Sequence, residues 1–539
     1  MKINKLLLCS IVIFASASVS LFAAYTSYDG RINENQILTP APAQSPRING
    51  PKIYGVRPGK KFIYRIPCQG QRPIQFEVTG LPKGLQIDKK TGIITGTAPA
   101  DKGNYKMSFK AVNSFGDASR KFTIVVGEKI ALTPPVGWNS WGGQMIAVSD
   151  ENIRKTADIF VDKGFADVGF QYIGIDDCWM RLTQKMYDER PEYRQKRHRS
   201  YDYTKYDTIG PIRDASGNIL PNGKFPDMKA MCDYVHSKGL KTGIYSTPGP
   251  QTCQNWAGSY GHERADADQY AAWGFDLLKY DLCSGGKVKK HMMATIEDFT
   301  IEDFWKPMST YLRVQDRDIL FNLCQYGIKQ PWTWAPSLNI QSWRTGGDLN
   351  HHVENYFKNA LRIATELRQY SKPGQWNDPD FMYIHRIKDV YDMGQPSKEI
   401  PLNTNQRYQY VSLWSLICAP FFFSCDIENI DDFTVALMTN AGVVNINQDQ
   451  LTHVAQVIRD DTKETVMMKE LAGGQVVLAV FNRDPANERT VEVSWDEVGA
   501  CCGVHVFDVW RQKDIGICKG GISVKLSADG VALFKLKLL

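Results

Sequence analysis

Leu277-Leu278-Lys279-Tyr280-Asp281-Leu282-Cys283 is an apolar run that ends in a lysine and an aspartate. A run of this kind delivers a carboxylate to the tip of a buried strand, where a barrel enzyme keeps a nucleophile. Further along, Trp343-Arg344-Thr345-Gly346-Gly347-Asp348 supplies a second carboxylate after an Ile/Leu-containing stretch that reads as another strand. Two carboxylates on successive strand ends suggest glycoside hydrolysis, which needs a nucleophile and an acid/base group about 5 Å apart when configuration is retained. Lys279 lies two residues before Asp281, hence on the same side of the strand, and its ammonium favours an ionised Asp281. Arg344, four residues before Asp348, is placed to hold substrate in the same cleft.

The surrounding sequence has the grammar of apolar strand, loop and amphipathic helix from residue 131 to 449. Candidate strands are Val136–Trp138, Tyr172–Ile175, Lys241–Tyr245, Leu277–Tyr280, Ile319–Leu323, Ile340–Trp343, Gln375–Trp376 and Pro420–Phe423. Strands with helical spacers in this number predict a (β/α)8 TIM barrel. An open doubly wound sheet is the alternative, but no glycine-rich phosphate fingerprint supports it. Before the barrel, residues 51–129 alternate with period two between Gly, Pro and Asn turns, which predicts an immunoglobulin-like β-sandwich, a spacer or docking module. After it, alternation returns over 450–539 and predicts a C-terminal antiparallel β-domain. Residues 25–50 are polar and Pro-containing and read as a linker. Residues 1–24 combine Lys2 and Lys5 with an apolar run broken by small residues, the pattern of a secretory signal peptide, with a membrane anchor as the alternative. The expected location is therefore secreted or periplasmic, possibly on the cell surface, with no membrane span once the signal is removed.

At 539 residues the chain is too long for a single core, and its 43% hydrophobic and 23% charged residues exclude disorder and a polytopic membrane protein. Loss of Lys2 and Lys5 with the signal lowers the net charge from +6 to +4, too slight to imply nucleic acid. Twelve cysteines become eleven without Cys9, so at least one thiol is unpaired or intermolecular.

Further clusters fall where strands empty into loops. Ile173-Gly174-Ile175-Asp176-Asp177-Cys178-Trp179 places adjacent carboxylates at a strand end, where vicinal sugar hydroxyls can donate to both; a metal site is the weaker alternative. Trp138-Asn139-Ser140-Trp141 and Trp376-Asn377-Asp378-Pro379-Asp380 add aromatic planes and carboxylates at the same face. The loop after the second strand is basic, with Arg181, Lys185, Arg190, Arg194, Lys196, Arg197 and Arg199, and reads either as a solvated loop or as a positive subsite for an acidic or branched glycan. His351-His352 point to different faces of one helix and read as ordinary polar residues.

Together these motifs resemble the α-galactosidases (melibiases) of glycoside hydrolase family 27, over the barrel and the C-terminal β-domain. The resemblance implies a cofactor-independent retaining exo-enzyme acting on α-galactoside-containing oligosaccharides or polysaccharides, with Asp281 as nucleophile and Asp348 as general acid/base. It implies a galactose-binding shell of Trp141, Asp176, Asp177, Tyr245, Lys279, Arg344 and Asp380, and a disulfide between Cys253 and Cys283. Asp176 and Asp177 would then read the axial 4-hydroxyl and the 6-hydroxyl. The chain departs from the family where Cys-Glu-Trp is replaced by Cys324-Gln325-Tyr326-Gly327, so Gln325 is expected at the 2-hydroxyl side and bears on sugar identity. Cys178 lacks a partner near Gly142-Gly143-Gln144-Met145 and reads as a buried thiol. Rival sugars on the same scaffold are α-N-acetylgalactosamine, β-L-arabinopyranose and an isomaltose unit; a carbohydrate-binding protein without catalysis is the rival of another class.

Overall fold

The computed structural model describes residues 24–197, 201–283, 300–349, 352–388, 396–500 and 503–539. Residues 1–23, which hold nearly all of the expected signal peptide, lie outside the described residues. At the centre is one parallel sheet of nine strands: β1 (Val136–Asn139), β2 (Tyr172–Gly174), β3 (Lys241–Ser246), β4 (Leu277–Asp281), β5 (Leu320–Cys324), β6 (Ser342–Arg344), β7 (Trp376–Asp378), β8 (Met382–Tyr383) and β9 (Phe421–Ser424). Hydrogen bonding runs from β7 back through β6 to β1, then to β9 and β8. β7 and β8 are two halves of one stave: β7 pairs with β6 on one side and β8 with β9 on the other. This broken stave closes the TIM barrel. The break falls at Pro379-Asp380-Phe381, where Pro379 has no N–H for a ladder and Asp380 takes φ +114°.

Strands β3, β4 and β5 are buried at every position, as expected of parallel strands covered on both faces. The surrounding helices follow their own period. In Asp150–Asp162, Ser149 caps the N-terminus by accepting from the N–H of Asn152, and Ile153, Thr156, Ala157 and Phe160 form the buried stripe.

The C-terminal domain is a sandwich. Its larger sheet joins Gln456–Asp460, Glu464–Leu471, Gln475–Asn482, Val531–Leu538, Val504–Asp508 and Lys513–Cys518. Gln475–Asn482 is buried on both sides: Leu478 and Val480 enter the sandwich core with Val491 and Ile522, whereas Val477, Ala479 and Phe481 join the barrel core. Alternation thus welds this domain to the barrel.

Residues 25–50, expected as a linker, are instead built into the fold. Thr26–Asp29 pairs in parallel with Gly521–Leu526 in the smaller C-terminal sheet, and the Tyr28 hydroxyl donates to Asp508 at 2.5 Å. Ile32 and Leu38 then bury in the barrel core. Apolar anchors scattered among Pro, Asn and Ala defeat a compositional reading.

The N-terminal module has two sheets, one of Ile53–Val56, Gly116–Val126, Gly103–Asn113 and Gln75–Thr79, the other of Lys61–Arg65, Ile93–Thr97 and Leu85–Ile87. Phe62, Tyr64, Phe76, Phe109 and Phe122 fill the space between them. It docks on the N-terminal face of the barrel: Arg57 pairs with Asp318 just before β5, Arg72 with Asp167 just before β2, and the Lys241 ammonium at the start of β3 meets the Tyr54 hydroxyl. Among the described residues, the opposite face, where the strands end, stays clear of this module.

Candidate active site

Strand ends bring the expected residues together at the C-terminal face. Asp281, the last residue of β4, is 6% exposed and accepts two phenolic hydrogen bonds, from Tyr245 to Oδ2 at 3.0 Å and from Tyr326 to Oδ1 at 2.8 Å. Burial raises its pKa above the ordinary carboxylate range; the Lys279 ammonium and the Tyr326 hydrogen bond pull it down, and the charge of Asp348 pushes it up. Asp348, in the loop after β6, has a side chain 49% exposed and is held by Arg344 at 3.1 Å. One carboxylate is buried and doubly clamped; the other is half in solvent.

Arg344 is not free to hold substrate by itself. Its side chain is 3% exposed, and one guanidinium nitrogen meets Asp380 Oδ1 at 3.0 Å while the other meets Asp348. Asp380 also accepts from the N–H of Leu349 at 2.7 Å, which ties the broken stave to the loop carrying Asp348. Burial raises the Asp380 pKa in spite of Arg344. The left-handed turn at Asp380 thereby aims a carboxylate that a continuous strand would point elsewhere.

Lys279 pairs with Asp176, not Asp281: the ammonium lies 2.7 Å from Asp176 Oδ2, above the rings of Phe381 at 4.7 Å and Tyr245 at 5.2 Å. Burial alone would lower its pKa, but Asp176 and Asp281 more than offset that and keep it charged. Asp177 is pushed up to about 7 by burial, with the Asp176 charge adding to it and the Thr252 hydroxyl opposing it. The N–H of Gln254 donates to it at 3.0 Å. Trp141 stands half-buried at the mouth, its backbone N–H donating to Asn139 Oδ1. Cys253 and Cys283 are disulfide-bonded, with Cys283 Sγ 3.2 Å from the Tyr245 hydroxyl. Among the described residues the group of potential metal ligands in close range is Cys253, Asp281 and Cys283, and two of these are spent in the disulfide.

Several expectations are corrected. Gln325 is fully buried, donates its amide to the Ile328 carbonyl and leaves its own Oε1 without a partner, so it is not presented to the carboxylates. Its neighbour Tyr326, at φ +57°, takes that place. Trp138 and Trp376 are core residues, their indoles donating to the carbonyls of Cys425 and Ala131. The described cations of the basic loop are engaged locally: Arg181 pairs with Asp207, Lys185 with Glu189 and Lys196 with Glu192, while Arg190 is stacked between Tyr187 and Tyr203. Arg199, and the side chains of Arg194 and Arg197, lie outside the described residues, as does His351; His352 faces Glu354 at 3.5 Å. Cys178 is a buried free thiol. Tyr326 is the residue that the sequence reading left out of the site, although it stands in the motif where the family pattern breaks.

Comparison with known proteins agrees with this geometry. The family profile described as Alpha galactosidase A matches residues 133–201 and 192–449, and that of the Alpha galactosidase C-terminal beta sandwich domain matches 461–536. The chain belongs to the α-galactosidase (melibiase) family. It is a glycoside hydrolase. An Ig-domain profile matches residues 45–127. The α-galactosidase of Cyamopsis tetragonoloba is 32% identical over 412 residues, 76% of this chain and 87% of that protein. That of Coffea arabica is 33% identical over 425 residues, 78% of this chain and 97% of that protein. A Bacteroides fragilis structure solved as a candidate α-galactosidase/melibiase superposes with a TM-score of 0.78 at 31% identity, covering 91% of this chain and 98% of that one. The melibiase match therefore spans the barrel that carries Asp281 and Asp348.

Proposed function

We propose that the protein is an exported, retaining exo-α-galactosidase that removes terminal α-D-galactosyl residues from oligosaccharides or polysaccharides through a covalent glycosyl-enzyme. The observation that carries this reading is the contrast between Asp281, buried and held by two phenols, and Asp348, half-exposed and held by one guanidinium group. Asp281 attacks the anomeric carbon. Asp348 first protonates the departing oxygen and then, ionised, takes a proton from the water that releases the sugar. Two bound carboxylate oxygens fix the direction of attack, and solvent access at Asp348 lets its proton turn over in each half-reaction.

Asp176, Asp177 and Lys279 form the hydroxyl-reading end, with Trp141 and Tyr245 beside it, and Arg344 and Asp380 hold the loop of Asp348. A buried, ionised Asp177 already accepts from the N–H groups of Gln254 and Cys178, and a 6-hydroxyl supplies a further donor. β-L-Arabinopyranose has no such group, which favours galactose. Gln325 is withdrawn, so Tyr326 is the residue facing the nucleophile on the side where α-N-acetylgalactosamine would differ. The relatives named above are α-galactosidases, which supports the same sugar.

The test is release of p-nitrophenol from the α-galactoside, α-N-acetylgalactosaminide, β-L-arabinopyranoside and α-glucoside by the protein lacking residues 1–24, with Asp281→Ala as control. Release from the galactoside, lost in the variant, is the expected result. Preference for any of the other three overturns the sugar, and turnover that survives Asp281→Ala overturns the nucleophile.

A further inference from the structure

The net charge of the chain conceals a division. Residues 45–127 hold fifteen Lys and Arg against four Asp and Glu, a surplus of +11; since the whole chain is +6, everything else sums to −5. Part of this surplus is spent against the barrel, where Arg57, Lys61 and Arg72 pair with Asp318, Asp316 and Asp167. Part is not. Lys106, Lys110 and Lys121 are exposed on the outer face of the sheet formed by Gly103–Asn113 and Gly116–Val126, and none has an ion-pair partner among the described residues.

Register sets their spacing. Lys121 stands opposite Ser108, midway between Lys106 and Lys110 on the neighbouring strand. With strands about 4.8 Å apart and about 3.4 Å per residue, Lys121 lies about 8 Å from each, roughly one Debye length at physiological salt. Like charges at this range repel; two acids share the face, Glu77 opposite Lys110 and Asp117 diagonal to it, both at the Lys110 end. Lys106 and Lys121, at the other end, stand opposite Thr123 and Ser108, and their repulsion persists unless a further anion is bound there. Between the lysines stand Ser108, Ser119, Thr79 and Thr123, which are hydrogen-bonding groups. Phe115 is exposed at the turn joining the two strands, but among the described residues no row of rings runs along the face to stack successive bases, and no apolar stripe is present to enter a lipid interface.

We infer that this sheet face is a docking surface for an acidic polysaccharide, a polymer with regularly spaced carboxylates such as a polyuronate. Carboxylates meet the lysines and sugar hydroxyls meet the Ser and Thr side chains. The module sits on the barrel face opposite the catalytic carboxylates, so a docked polymer leaves the site open. Holding the enzyme on a polymer raises the effective concentration of galactosyl branches near it without changing the site itself.

The test is affinity electrophoresis of the chain lacking residues 1–24 in gels containing polygalacturonate or neutral hydroxyethylcellulose, across a salt series. Polygalacturonate should retard the protein, hydroxyethylcellulose should not, and retardation should fall steeply with salt. The triple variant Lys106→Glu, Lys110→Glu, Lys121→Glu should bind at least about tenfold more weakly with unchanged thermal unfolding. The Gln triple variant, which removes charge without reversing it, should lie between. Equal retardation of variant and wild type, no retardation in polygalacturonate, equal retardation in both polymers, or tighter binding to duplex DNA or phosphatidylglycerol vesicles would each overturn the proposal. None of these readouts needs turnover, so an error about the sugar or the nucleophile leaves this test intact.

Discussion

Asp281 and Asp348 are the same chemical group in opposite surroundings. Asp281 ends a strand buried at every position, and each of its oxygens has a phenol pointed at it. Asp348 rides a Gly-Gly turn after β6, half in solvent, steadied by Arg344. A nucleophile must be fixed to within a fraction of an ångström, and rigid strand ends do that. An acid/base must exchange protons with solvent once per turnover, and a loop position open to water does that. The difference teaches that location, more than residue type, carries the two roles proposed for them.

The strongest way to break this assignment is to remove each carboxylate in turn. Asp281→Gly should lower kcat on the order of 10⁴-fold or more, because no covalent intermediate forms without it. Asp348→Gly should cost about 10²- to 10⁴-fold, and less on substrates whose leaving group needs no proton. Added azide separates the roles by stereochemistry, since it enters the space left by the missing group. The Asp281 variant should yield a galactosyl azide of inverted configuration and the Asp348 variant one of retained configuration, read by proton NMR. Exchange of the two outcomes would exchange the roles.

A smaller effect tests the phenol clamp. Tyr326→Phe removes the donor to Asp281 Oδ1, and a hydrogen bond to a charged group is worth about 1.5–3 kcal/mol, so kcat/KM should fall about 10- to 100-fold. The pH profile distinguishes positioning from mere packing. Tyr326 stabilises the ionised carboxylate, so its loss raises the Asp281 pKa further, and the acid limb of kcat/KM should move to higher pH. A fall in rate with an unmoved acid limb would assign Tyr326 to packing alone.

The contrast also marks what was legible in the sequence. The strand carrying Asp281 was readable because a short continuous apolar run ending in Lys-Tyr-Asp has few other uses in a barrel. The strand positions were readable for the same reason, since parallel strands buried on both faces leave an apolar signature. The broken stave was not, because nothing local to Trp376-Asn377-Asp378-Pro379-Asp380 shows that the chain resumes its ladder at Met382 against Phe423. Gln325 and Tyr326 exchanged parts for a related reason: a left-handed backbone at Tyr326 decides which neighbour faces Asp281, and a side-chain list does not contain that angle. The N-terminal strap pairs Thr26–Asp29 with Gly521–Leu526, a contact between opposite ends of the chain that local pattern cannot carry.

The smallest effect concerns burial without phenols. Asp177 is as buried as Asp281 but has no phenol on it, and burial pushes its pKa up to about 7. In the unfolded chain an aspartate titrates near 3.9, so between pH 4 and 7 the folded protein binds more protons at this site than the unfolded one. Stability therefore falls as pH rises through that window and levels off above about 7, by an amount on the order of a few kcal/mol. Thermal unfolding of the wild type from pH 5 to 8 should show this decline, and Asp177→Asn, which has no proton to lose, should flatten it by a few degrees across the range. A galactose-bound enzyme should flatten it as well, since a hydroxyl donating to Asp177 favours the ionised form and lowers its pKa. Identical slopes for wild type and Asp177→Asn would mean that water reaches this carboxylate, and that burial is not what separates the two ends of the site.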